Sequence, residues 1–287
     1  RLKIFEADML NPNSFDQAFE GCSIVFLVAF PFKFAMPKNA GQLASTGIDV
    51  MLEACAKIES VKRVVLTSTA FTLFQKGTDF EGKLSAEMWN TESTEDGFTY
   101  AWAKTVQEKK AWKRYETVDK GKYQLIALCA GGMIGPPAVR RWDGQVVTLF
   151  RQIMATMFAA IPHFCVPVLC VKDAAKAHLL AGFNPEASGR IVVADSKAIT
   201  VNDWAIAVRK GTGIIMFGLF YAPYFVLWLI GPLVGLPRGT LAGIWCRKSF
   251  EVDNEPLKKL GLTEFTPPEV YMKECAEQLR TYGIVWY

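Results

Sequence analysis

Through the first two thirds of the chain, short apolar runs rich in β-branched residues alternate with stretches of helical period, and little except a series of parallel βαβ units accommodates that order. A strand covered on both faces loses the in-and-out alternation of a half-exposed one and reads as a continuous apolar run. Residues 2–5, 23–29, 63–69 and 123–129 read this way. Between the first two, Asn11-Pro12 starts a short helix with Phe15, Ala18 and Phe19 on one face and Gly21 as its stop. Residues 41–57 and 100–115 carry the next two helical patterns. The expectation is an α/β fold with a doubly wound parallel sheet.

Past Gly135-Pro136-Pro137 the pattern changes to longer helices and isolated strands, which places a boundary between an α/β core at 1–137 and a smaller mixed region at 138–287. That second region is expected to hold a very apolar helix over 146–158, a strand over 166–171, a helix from Asp173 to Gly182 and a strand over 190–194. Thr200 with Asp203 forms a capping-box pattern, and Thr266-Pro267-Pro268-Glu269 forms a stronger one for the last helix.

An apolar share of 51% over 287 residues fills a sizeable core and excludes a disordered chain. The net charge of +4 comes from 32 basic and 28 acidic residues that are scattered along the chain, which argues against nucleic acid as the main partner. Seven cysteines include no Cys-x-x-Cys pair, so an intracellular, reducing compartment is the expectation, and His163 has no neighbours at metal-ligand spacing. His178, among Ala, Leu and Lys, reads as structural.

One segment stands apart. Residues 211–237 carry no charge and are mostly large and apolar, a length sufficient to cross a bilayer, yet Pro223, Gly231 and Pro232 interrupt it. Three readings follow: a hydrophobic lid or subunit contact, a surface attachment to an endoplasmic reticulum or organelle membrane, or a true span. Two short helices beside a substrate entrance suit the breaks better than one straight helix.

Chemistry concentrates at Tyr100-Ala-Trp-Ala-Lys104. Residues four apart share a helix face, so a phenol and an ammonium stand together there. Tyrosine ionises near pH 10, and a neighbouring cation favours the phenolate, so such a pair can pass a proton at neutral pH. About thirty positions earlier, the run Arg63-Val-Val-Leu-Thr-Ser-Thr69 ends a strand in hydroxyl side chains, and strand C-termini are where open α/β sheets bind ligands.

These residues, in this order, resemble the extended short-chain dehydrogenase/reductase family, in the branch of dihydroflavonol reductases, cinnamoyl-CoA reductases and 3β-hydroxysteroid dehydrogenases. Ala7-Asp8-Met9-Leu10, Val25-Phe-Leu-Val-Ala29, residues 43–56, Trp89, Gly135-Pro136-Pro137, Val171-Lys-Asp173 with Ala177-His178, and Leu260-Gly-Leu262 carry the likeness over nearly the whole chain. The resemblance implies a Rossmann-type fold and an NAD(P)-dependent oxidoreductase acting on an apolar ketone, aldehyde or secondary alcohol, with NADP placed ahead of NAD. It implies Tyr100 as proton donor, Thr69 as the hydroxyl on the substrate oxygen with Ser68 as fallback, and Lys104 on the nicotinamide ribose. Asp8, Met9, Val28, Ala29, Phe30, Thr67, Ala130 and Met133 would join Lys104 around the dinucleotide. Phe71, Trp89 and Trp102 would line the substrate, residues 1–137 would be the dinucleotide-binding core, and 138–287 the substrate-binding region. No metal is implied.

Departures accompany the likeness. The family's glycine-rich turn is absent, and the expectation is a chain lacking the first strand–helix–strand unit. Leu27 stands where many relatives have His, Asp49 where they have Asn, and Ala130 where they have Pro; a carboxylate at 49 would disturb the proton path. Two other functions stay open: an accessory subunit of this fold in a membrane complex, holding its nucleotide structurally, and a nucleotide-sugar epimerase or dehydratase, against which the apolar C-terminal part speaks.

Overall fold

The computed structural model describes residues 2–30, 36–74, 80, 82–140, 147–148, 160–161, 163, 165–213, 220–234, 237–246 and 248–285. Strands β1 (Ile24–Leu27), β2 (Arg63–Thr69), β3 (Gln124–Ala130) and β4 (Gly189–Val193) form a parallel sheet in that order, with Leu27 beside Leu66, Thr69 beside Ala130, and Ala130 beside Val193. Helices α1 (Ala40–Lys57) and α2 (Thr99–Thr117) cover one face, and α3 (Val171–Phe183) covers the other. The alternation hidden in the apolar runs reappears in the packing. Val64 and Leu66 meet Ile48, Met51 and Leu52 of α1, while Val65 between them meets the alanine face of α3.

Small residues let these layers close. A side chain at Gly182 would strike the Phe26 ring at 2.6 Å, so only glycine brings the end of α3 onto β1. Arg63 then donates to the carbonyls of Ala181, Gly182 and Asn184, supplying cationic partners to a helix C-terminus.

Beyond the sheet, helices α4 (Val201–Thr212), α5 (Tyr224–Ile230), α6 (Arg238–Ile244) and α7 (Pro268–Thr281) follow. The two capping boxes part company. Thr200 and Asp203 make theirs reciprocally, with Thr200 N donating to Asp203 Oδ2 at 2.8 Å. Thr266 does not, because its amide donates to Asp173 Oδ2 at 2.7 Å, and α7 starts after Pro267 with no side-chain cap.

Other expectations shift. Residues 2–5 form no strand: no described segment pairs with them, and Leu2 and Ile4 are exposed. The helix after Asn11-Pro12 shrinks to Asp16–Phe19. The helix expected over 146–158 lies outside the described residues except at 147–148. Among the described residues the uncharged segment holds one short helix, α5, between a two-residue strand at Phe220–Tyr221 and a 3-10 turn at Gly231–Val234, broken at its prolines and glycines; α6 begins beyond it at Arg238, so the second short helix expected inside it is not there, and residues 214–219 and 235–236 lie outside the described set. Among the described residues no helix is long and apolar enough to cross a membrane, which removes the reading as a single straight span.

Candidate active site

β2 delivers three hydroxyls to three different places because successive side chains of a strand point to opposite faces. The Thr67 hydroxyl meets His178 Nε2 of α3 at 2.8 Å. His178 Nδ1 lies 2.7 Å from the Ala174 carbonyl, which fixes the proton on Nδ1, so Nε2 accepts from Thr67 and the histidine is a structural bracket. Ser68 points the other way and donates to Glu108 of α2. Thr69 ends the strand, turns the chain by accepting from Phe71 N at 3.4 Å, and its side chain works to lower the pKa of the Tyr100 phenol.

Tyr100 sits in the first turn of α2 within an aromatic nest: Phe30 at 5.9 Å and Phe71 at 6.4 Å meet it edge-on, and Phe98 lies at 6.3 Å. Burial raises the phenol above its ordinary value, and Thr69 opposes this. At neutral pH the group is therefore a neutral acid, the form that donates a proton. Lys104, one turn on, is 3% exposed. Its ammonium donates to the Thr67 carbonyl at 2.8 Å and to Gln107 Oε1 at 2.6 Å, and stands 4.5 Å from the centre of the Phe30 ring. Burial lowers it to about 8, against the raising influence of Glu108 and Cys129.

Behind this pair lies a buried polar buckle that sequence reasoning missed. The Glu108 carboxylate accepts from Ser68, from Thr72 Oγ1 at 2.7 Å, from Arg190 Nε at 2.6 Å and from Trp112 Nε1 at 3.3 Å. Arg190 also donates to the carbonyls of Ala86 and Met88 and carries the Trp89 ring at 3.6 Å. Trp89 is thus placed as a lid on a guanidinium, not beside Tyr100. Trp102 is likewise a packing residue, its ring occupying the space a side chain at Gly41 would need. Phe71 meets the Tyr100 ring edge-on, and Trp102 packs in the same apolar cluster as Phe30 of that nest. The carboxylate of Asp49 is paired with Lys110 at 3.0 Å and lies close to Arg114.

Of the other expected positions, Val28 and Ala29 are exposed at the end of β1, Ala130 closes β3, and Met133 follows in a short strand at Gly132–Ile134. Asp8 accepts from Leu10 N at 2.9 Å, and Met9 packs over Gly47 of α1. From the C-terminal region, α6 lies against the approach to Tyr100: side chains at Gly239 and Gly243 would strike the Gly97 carbonyl and the Phe98 ring. No group of His, Cys, Asp and Glu among the described residues could hold a metal, and His163 instead stacks on Tyr221 at 3.7 Å. The donor set fits a nicotinamide dinucleotide: one buried cation, hydroxyl side chains and small or apolar strand ends.

No family model matches the chain. It is similar to a cinnamoyl-CoA reductase of Medicago truncatula, with 29% identity over 290 residues that cover 98% of this chain and 80% of that protein. To an anthocyanidin reductase of Arabidopsis thaliana it is 30% identical over 208 residues, 67% of this chain and 60% of the relative. Among solved structures, the yeast methylglyoxal/isovaleraldehyde reductase in complex with NADPH superposes with a TM-score of 0.74 at 25% identity, covering 97% of this chain and 84% of that one. Vestitone reductase from alfalfa superposes at 0.72 with 18% identity, over 98% and 83% of the two chains, a likeness of fold.

Proposed function

The chain belongs to the extended short-chain dehydrogenase/reductase family, and on that premise we propose that it reduces the carbonyl of a small, mostly apolar aldehyde or ketone with NADPH. The observation that carries this reading is Tyr100 one helical turn from the buried Lys104, whose ammonium is tied to the Thr67 carbonyl at the C-terminal end of the parallel strand that Thr69 closes. When bound, the dinucleotide supplies the hydride. Lys104, with Thr67, Val28, Ala29, Phe30, Ala130 and Met133, would hold its nicotinamide half, and Asp8 with Met9 the adenine end.

The chain's own groups handle the proton. Thr69 orients the substrate oxygen and the Tyr100 hydroxyl together, and Tyr100 gives its proton to that oxygen as negative charge develops. Phe30, Phe71 and Phe98 keep the place apolar, which favours a substrate with little charge. That wall speaks against a nucleotide sugar, whose phosphates call for cations. A lysine held buried at a cost in solvation speaks against a purely structural subunit.

The test is reduction of a panel of aromatic and aliphatic aldehydes and ketones by the full-length protein, followed by NADPH absorbance. Tyr100→Phe is expected to lower kcat by about 10²–10⁴-fold with NADPH affinity nearly unchanged. Absence of NADPH binding, or a Tyr100→Phe variant as fast as wild type, would overturn the reading.

A further inference from the structure

A lysine ammonium has three N–H groups to place, and once buried it must find protein partners for them. Lys104 gives one to the Thr67 carbonyl and one to Gln107 Oε1. Gln107 lies three residues on along α2, where side chains of one helix face meet. It is itself only 2% exposed. A buried carboxamide is costly unless bonded, and this one is spent on the ammonium.

Resting on the reductase reading above, we propose that Gln107 is a positioning residue: it clamps the Lys104 ammonium against the Thr67 carbonyl, fixing its direction and its charge and leaving one N–H for a ribose hydroxyl. The clamp matters because the other surroundings pull unequally. On α2, Glu108 is shared with Arg190 and Tyr100 is neutral; β3 presents Cys129, whose thiol is pushed up by burial and by Glu108. On the β2 side Thr67 is tied to His178, Phe30 offers a ring face, and Asp49 of α1 is taken by Lys110. Burial is the largest influence on Lys104 and works against its charge. A good acceptor at 2.6 Å favours the charged form, so its removal lowers the lysine further.

The experiment follows the Lys104 Cε resonance in the full-length, unliganded protein labelled with ¹³Cε-lysine, assigned by its loss in Lys104→Arg, from neutral to alkaline pH. Gln107→Leu is expected to lower the titration midpoint by about one unit or more, and Gln107→Glu to raise it. In steady-state assays the alkaline limb of kcat/KM should move in the same direction for each variant, and NADPH affinity should fall roughly tenfold in Gln107→Leu. A Gln107→Leu midpoint equal to wild type overturns the clamp. If that variant does not fold by circular dichroism, Gln107→Glu decides alone: a rise supports the proposal and an unchanged midpoint sinks it. Because the titration needs neither cofactor nor turnover, a shifted midpoint in a protein that reduces nothing would retire the reductase reading and leave the clamp standing.

Discussion

Lys104 is held in its charged form against the pull of desolvation. With its value lowered from 10.5 to about 8, the burden on the folded state is about 3 kcal/mol. The sign follows from proton counting. Between pH 8 and 10.5 the unfolded chain keeps a proton that the folded one has released, so stability rises with pH across that window, and below it the cost stands in full. Urea denaturation of wild type and Lys104→Met at several pH values should therefore show their stability difference moving in favour of wild type on the alkaline side. A difference that does not change with pH would contradict a desolvated Lys104. Tyr100 and Lys104 were legible because a spacing of four on a helix is a geometric statement. Gln107 was not, since a glutamine three places after a lysine is ordinary helix-surface composition until burial is known. Arg190 and Glu108 were further out of reach, being 82 residues apart.

At the scale of elements, that ion pair joins α2 to β4, and Thr72, Ala86 and Met88 bring in the chain that follows β2. Neither charge has water to fall back on, so removing one strands the other. Arg190→Leu is expected to cost about 3–5 kcal/mol, read as a lowered urea midpoint. Adding Glu108→Leu should recover part of the loss; a double variant as unstable as the sum of the singles would mean that the two residues act independently. The strands of the central sheet were readable as apolar runs, and their helices as periodic ones. What misled were places where a tertiary partner outbid a local one, as at Thr266, whose amide goes to Asp173, or where no described segment pairs with the run, as at residues 2–5. The uncharged stretch was correctly read as broken, yet α5 leaves Phe225 and Leu229 largely exposed, a feature that composition alone could not place.

For the whole molecule, the expected boundary at 137 is not a seam in the sheet. β4 comes from the second half and completes the pairing of β3, Lys83–Leu84 pairs with Glu251–Val252, and Gly132–Ile134 pairs with Val168–Cys170. A fragment ending at residue 137 should fail to fold cooperatively, with a broad thermal melt by circular dichroism; a sharp, reversible transition would show the first part to be autonomous. The same pairings order events in time. The loop before Tyr100 receives a wall from Gly239 and Gly243, so on the ribosome the surroundings of Tyr100 are made early and finished late. Until then the nascent chain carries open strand edges. An early stop or a stall in the last quarter should thus yield an aggregation-prone product and work for chaperones, not a weakened enzyme.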